Sequence, residues 1–262
     1  MTVLAVEDLD VAIGGVSIVE EVSFGATGGE LVGLIGPNGA GKSTVIRAIT
    51  HLVRPSRGRV TLDGVDIRRL AGRELARRLA YLPPGHIVNW PMLVEHLVGL
   101  GRLPHRRPLT GPSVRDNEAV SEALRRADVA HLKHRVALTL SSGERARAML
   151  ARALAVEAAV LLADEPVTSL DPYHQLQVME LLRDIARSGH LVLCVLHDLP
   201  LAARFCDRLI LMNAGRVVAE GPPGEVLAPG NLATAYGVVA LHGEHEAEPF
   251  VLPWRRRSPR AG

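Results

Sequence analysis

A chain of 262 residues, 47% of them hydrophobic, is long enough for one large domain or a two-lobed one with an ample core. A formal net charge of +2 is too small to imply a nucleic-acid partner, and only 3% of the residues are aromatic. Cys194 and Cys206 lack metal-ligand spacing and make a poor disulfide framework, so buried free thiols in a reducing compartment are expected.

From Met1 to Asp8 no basic region precedes an apolar core, so no signal peptide is expected. No apolar run reaches the ~18–20 residues of a membrane span. Residues 3–35 are rich in Val, Ile and Leu and are broken by Gly14-Gly15 and Gly28-Gly29, which predicts short strands and turns. The uniformly apolar Leu31–Ile35 predicts a strand buried on both faces. A glycine-rich loop follows, then helical spacing over Ser43–Leu52. Arg59–Leu62, Asp63-Gly64 and Val65–Ile67 predict a hairpin. A helix over Arg73–Leu79 leads into a strand, Leu79–Leu82, ended by Pro83-Pro84-Gly85.

To about Ala151 the character changes. Helices are predicted over Pro91–Leu100, Arg115–Ala127 and Ser142–Ala155, with the Pro- and Gly-containing Arg102–Pro112 between the first two. This stretch predicts a helical lobe inserted into an α/β core. The core resumes with strands Val160–Ala163 and Leu191–Leu196 around a helix over Pro172–Arg187. Arg208–Met212 and Arg216–Ala219 predict a terminal hairpin. Beyond Pro222-Pro223 a short helix and an extended tail are expected, with Arg255-Arg256-Arg257 as a solvated run.

Three motifs carry chemistry. Gly36-Pro37-Asn38-Gly39-Ala40-Gly41-Lys42-Ser43-Thr44 fits G-x-x-x-x-G-K-[ST] between a buried strand and a helix. Its glycines let successive N–H groups turn towards phosphate oxygens, and the helix dipole adds positive charge. Lys42 would reach the β- and γ-phosphates and Ser43 would ligate Mg²⁺. Lys42 and Lys133 are the only lysines among 30 Lys and Arg residues. A slim ammonium fits between phosphate oxygens where a planar guanidinium does not. The second motif is Val160–Glu165, an apolar strand ending in two acids, with Asp164 towards the metal and Glu165 free to polarise a water. The third, Leu140-Ser141-Ser142-Gly143-Glu144, opens a helix and fits a capping box, and a capped helix start also attracts anions.

Together these segments resemble an ATP-binding cassette (ABC) ATPase over about residues 1–225. Leu140–Glu144 resembles the family's signature sequence, with Ser142 where glycine is usual. Ser169-Leu170-Asp171 resembles its D-loop, and His197 its switch histidine. The resemblance implies an α/β fold: a P-loop NTPase (RecA-like) core, an N-terminal antiparallel β subdomain, and an α-helical subdomain inserted at about 84–151. Residues 226–262 would be a C-terminal extension. It also implies a head-to-tail homodimer, or a pair with another ATPase subunit. ATP would lie between Gly36–Thr44 of one copy and Ser141 and Gly143 of the other. Glu165 would be the general base, His197 would hold the γ-phosphate and attacking water, and Asp171 would communicate across the dimer.

Two positions depart from the family. Pro84 stands where a glutamine usually touches Mg²⁺ and hinges the helical lobe, which predicts weaker Mg²⁺ dependence or looser coupling. No aromatic precedes Phe24, although the family usually stacks adenine on one close to Ile13. Gly99–His105, Asp171–Gln175 and the tail around Phe250–Pro253 resemble segments of importers of iron–siderophore, haem and cobalamin complexes. That subgroup implies a transmembrane permease, an extracytoplasmic binding protein that selects the cargo, and a place on the cytoplasmic face of the inner membrane. The competing readings are a soluble ABC protein of DNA repair or ribosomes, and a nucleotide-binding regulatory module that no longer hydrolyses. The first usually has two cassettes or a long coiled coil. Intact Glu165 and His197 oppose the second.

Overall fold

The computed structural model describes residues 1–107, 110–246 and 248–257. Pro108 and Leu109, within the expected connection Arg102–Pro112, and Ser258–Gly262, at the end of the expected extension, lie outside the described residues.

The chain opens with β1 (Val3–Ile13), β2 (Val16–Thr27) and β3 (Leu31–Ile35), then α1 (Lys42–Ile49), β4 (Arg57–Leu62) and β5 (Val65–Asp66). Helix α2 (Gly72–Arg78) leads into β6 (Leu79–Leu82). Three helices follow: α3 (Val94–Gly99), α4 (Val114–Arg126) and α5 (Ser142–Leu154). Then come β7 (Val160–Asp164), α6 (Pro172–Arg187), β8 (Leu191–Val195), α7 (Leu199–Phe205), β9 (Arg208–Asn213) and β10 (Arg216–Gly221). Helices α8 (Pro223–Val226) and α9 (Pro229–Ala235) precede β11 (Val238–His245) and β12 (Glu248–Arg256).

Six strands form the central sheet in the order β10-β9-β3-β8-β7-β6, parallel except for the antiparallel edge strand β10. A second, antiparallel sheet runs β2-β1-β4-β5. The central strands are apolar without interruption because both of their faces are covered. Along β3, Leu31 and Ile35 join a core shared with α5, α6 and α7, while Val32 and Leu34 join one shared with α1 and the antiparallel sheet. β8 divides the same way, with Val192 and Cys194 on one side and Leu191, Leu193 and Val195 on the other. Both cysteines are free and buried, as expected.

This order sets the geometry of the site. The loops after β3, β8, β7 and β6 all leave the carboxyl ends of adjacent parallel strands, the edge where open α/β sheets bind ligands.

Several elements differ from expectation. β1 and β2 are long, 11 and 12 residues, and their register shifts three times along the pair. Helix α3 starts at Val94 rather than Pro91, because Leu93 bridges Val136 and the N–H groups of Val94 and Glu95 donate to Arg135 and Lys133 carbonyls. The extended tail is a hairpin, β11–β12, with Arg255 and Arg256 on its exposed strand. No helix of the described residues is long and apolar enough to cross a membrane.

Candidate active site

The loop between β3 and α1 curls because Gly36, Gly39 and Gly41 sit at φ 149°, 80° and 96°, where a side chain would be strained. At Gly41 a Cβ would also come within 2.9 Å of the Ile18 carbonyl, so the loop lies tight against β2. Lys42 opens α1 and is 5% exposed. Its ammonium donates to the carbonyls of Gly36 (2.7 Å) and Pro37 (2.9 Å), which aims Nζ back across the mouth of the loop. Burial pushes the lysine below its ordinary value, and the nearby Glu165 and Asp164 carboxylates oppose that shift.

Asp164 ends β7, fully buried. Ser43 Oγ donates to its Oδ1 at 3.0 Å, and the Tyr81 hydroxyl lies 3.4 Å from Oδ2. Burial raises the Asp164 carboxyl above the ordinary range, with the Ser43 bond acting against it. Lys42 and Asp164 thus each carry a charge that burial disfavours, of the sign that a triphosphate and its divalent cation would offset. The Ser43 hydroxyl and Asp164 carboxylate are hard oxygen donors in contact, which suits Mg²⁺.

Glu165 turns out of β7 at φ 53°, an uncommon conformation for a residue with a side chain, and its N–H donates to the Val195 carbonyl at 3.2 Å. That turn points its carboxylate away from the strand. The imidazole Nε2 of His197, just past β8, lies 2.6 Å from Glu165 Oε1, and Thr168 Oγ1 donates to Oε2 at 3.2 Å. Ile18, the loop from Asn38 to Thr44, Glu165, Thr168 and His197 line one cleft of about 750 Å³. Such an arrangement can bind phosphates on backbone N–H groups and Lys42, hold a cation at Ser43 and Asp164, and take a proton from water at Glu165.

Ser141, Gly143 and Asp171 are not among the residues that line this cleft. They sit together elsewhere, where α5 and α6 begin. Ser141 caps α5 in a reciprocal box: Glu144 N donates to Ser141 Oγ (3.3 Å) and Ser141 N donates to Glu144 Oε2 (2.8 Å). Asp171 caps α6, accepting from the His174 N–H at 3.0 Å.

Pro84 begins a short 3₁₀ turn, Pro84–His86, in which Gly85 (φ 83°) and His86 (φ 47°) are both left-handed. His86 is buried, its Nε2 has no hydrogen-bond partner among the described residues, and burial lowers its pKa. Ile13 and Val16 pair at the tip of the β1–β2 hairpin, both exposed, and Ile18 lines the cleft below them. Tyr81, Thr168 and Ile18 carry no motif in the sequence. Tyr81 reaches Asp164 only because β6 pairs with β7, with Leu82 opposite Ala163.

The ABC transporter family profile matches residues 19–168. The hemin import ATP-binding protein HmuV of Pseudomonas putida is 44% identical over 256 residues, covering 95% of this chain and 99% of that protein. The cobalamin import ATP-binding protein BtuD of Halobacterium salinarum is 42% identical over 234 residues, 89% of this chain and 58% of that one. Among solved structures, the ADP conformation of an ATP-binding cassette of an ABC transporter aligns with a TM-score of 0.79 at 25% identity, over 90% of this chain and 98% of that one.

Proposed function

The chain belongs to the ABC transporter family as an ATP-binding, ATP-hydrolysing import subunit, and we propose that its importer carries a haem-, cobalamin- or iron–siderophore-type cargo. Such a subunit works with a membrane permease. The observation that carries the enzymatic reading is the convergence of Lys42, the Ser43–Asp164 pair and the Glu165–His197 pair at the carboxyl ends of β3, β7 and β8.

In this reading Gly36–Thr44 bind the triphosphate, Ser43 and Asp164 hold Mg²⁺, Glu165 is the base, and His197 holds the γ-phosphate. Two copies close head to tail, so that Ser141, Gly143 and Asp171 of one complete the cleft of the other. The separation of those three residues from the cleft in a single chain supports that pairing. Residues 1–225 would form the ATPase domain, with about 84–151 as its helical subdomain and 226–262 as an extension. The subunit would sit on the cytoplasmic face of the inner membrane through its permease, with an extracytoplasmic binding protein choosing the cargo. In the test, purified protein releases phosphate from MgATP and Lys42→Ala does not. Absence of turnover, alone and with the permease, would sink the enzymatic reading.

Two local features make further predictions. Pro84 has no side-chain oxygen for a metal and its ring stiffens the turn after β6. Pro84→Gln should therefore raise permease-coupled ATPase in proteoliposomes, and an unchanged rate would dismiss a coupling role for this position. The aliphatic hairpin tip offers the base no aromatic face, and such stacking contributes ~1–3 kcal/mol in nucleic-acid systems. ATP and GTP should accordingly bind with affinities within about tenfold of each other, by calorimetry. A preference for adenine well beyond that would mean that another group reads the base.

A further inference from the structure

Beside the D-loop, His174 makes contacts that the proposed reaction does not use. Its ring nitrogen Nδ1 lies 2.9 and 2.8 Å from the two carboxylate oxygens of Asp171, whose Oδ1 also accepts the His174 backbone N–H. The Asp171 carboxyl is held below its ordinary value mainly by that backbone bond, together with the imidazole bond. The far edge of the same ring rests on Gly143 in the first turn of α5. A Cβ on Gly143 would collide with the imidazole Cδ2, Cγ and Nε2. Tyr173 meets the ring edge-on, at 5.5 Å between centroids and 86° between planes. One turn further along α6, Gln177 accepts from Arg147 Nη1 of α5 and donates to the Tyr173 hydroxyl at 3.2 Å.

The first two turns of α5 and α6 therefore meet through two struts, His174 on Gly143 and Gln177 on Arg147. Only the first joins the two loops that the proposed dimer presents to its partner. Asp171 fixes the imidazole, and the imidazole fixes how closely α5 approaches.

We propose that His174 is a positioning residue that sets the spacing between Ser141-Ser142-Gly143 and Asp171, so that both reach the nucleotide of a second copy in one geometry. Gly143 is then glycine because the histidine occupies the space of a side chain. This rests on the ATPase reading above. A displacement of about 1 Å in groups that orient a reacting nucleotide lowers turnover by up to about a hundredfold.

A double-mutant cycle on the full chain, measured as kcat and KM for MgATP, tests it. Gly143→Ala should lower kcat by about tenfold or more, with the KM for ATP changed less, because the P-loop is untouched. His174→Ala should lower kcat less. In Gly143→Ala/His174→Ala the added methyl finds the room that the ring vacated, so kcat should match His174→Ala alone within about threefold. His174→Gln, which can still donate to Asp171, should retain more activity than His174→Ala. The proposal is overturned if the two losses multiply, since the glycine then serves the nucleotide alone, or if His174→Ala turns over like the wild type. Wild-type protein that fails to hydrolyse ATP would instead remove the ATPase reading itself, so the two failures are distinct.

Discussion

Glu165→Gln is expected to lower ATP turnover by about 10²–10⁴-fold while leaving ATP binding intact. The amide has nearly the volume of the carboxylate, and its oxygen can accept the His197 N–H that now lies 2.6 Å from Glu165 Oε1. The left-handed backbone at residue 165, held by the Val195 carbonyl, does not depend on the side-chain charge. What the amide lacks is a basic oxygen. Binding should persist or tighten, because the Glu165 charge is one of the causes that disfavour ionised Asp164, and the substitution removes it. Phosphate release under saturating MgATP, beside equilibrium binding of ATP, separates the two effects. If turnover stays within about threefold of wild type, Glu165 is not the base. If binding is lost with turnover, the carboxylate belongs to the phosphate and metal shell instead. The same variant should accumulate as an ATP-dependent dimer by light scattering, since hydrolysis is what releases the closed pair in the proposed cycle.

Much of this site is legible from local spacing. The P-loop, the acid pair at the end of β7 and the histidine after β8 each sit within a few residues of a strand whose apolar run announces it. Where local pattern competes with distant pairing, the sequence reads less well. Pro91–Leu93 has helical spacing, yet the downstream segment at Lys133–Val136 takes its pairing and leaves it extended. Helix α7 spans only seven residues, too few for a period to show, although Asp198 as its cap and Pro200 in its first turn were visible signals. The contact of His174 with Gly143 joins positions 31 apart on two helices, and no periodicity reports it.

Arg102 gives no sign of its place in the sequence pattern. In the sequence it belongs to a connection, one arginine among many, and in the structure it is 2% exposed in the middle of the helical lobe. Its Nε donates to Asp116 Oδ1 at 2.9 Å, and Nη1 donates to the Ala155 carbonyl (2.7 Å) and to Glu157 Oε2 (2.8 Å). One guanidinium thus ties the end of α3 to the start of α4 and the end of α5. Asp116 is itself buried and completes the capping box of α4 with Ser113, accepting from the Ser113 N–H (2.9 Å) and Oγ (2.7 Å).

Arg102→Ala is expected to destabilise the protein by about 3–5 kcal/mol, because it leaves a buried carboxylate without its partner. Burial alone would raise the Asp116 carboxyl, but the bonds from Ser113 and Arg102 outweigh it and hold the group well below its ordinary value of 3.8. A group depressed in the folded state contributes stability that is present above about pH 3.8 and is lost as pH falls through the folded value. Without Arg102 the folded value climbs, and protonation relieves the unpaired charge. The difference between wild type and Arg102→Ala should therefore be greatest near neutrality and shrink as urea unfolding is repeated at lower pH. Arg102→Met/Asp116→Asn, which removes both charges, should cost less than the sum of its single changes. A loss under about 1 kcal/mol that does not vary with pH would mark the pair as no stronger than a surface ion pair. Because α5 carries Ser141 and Gly143 at its start and Arg102 grips its end, loosening these helices should weaken turnover at concentrations where ATP still binds.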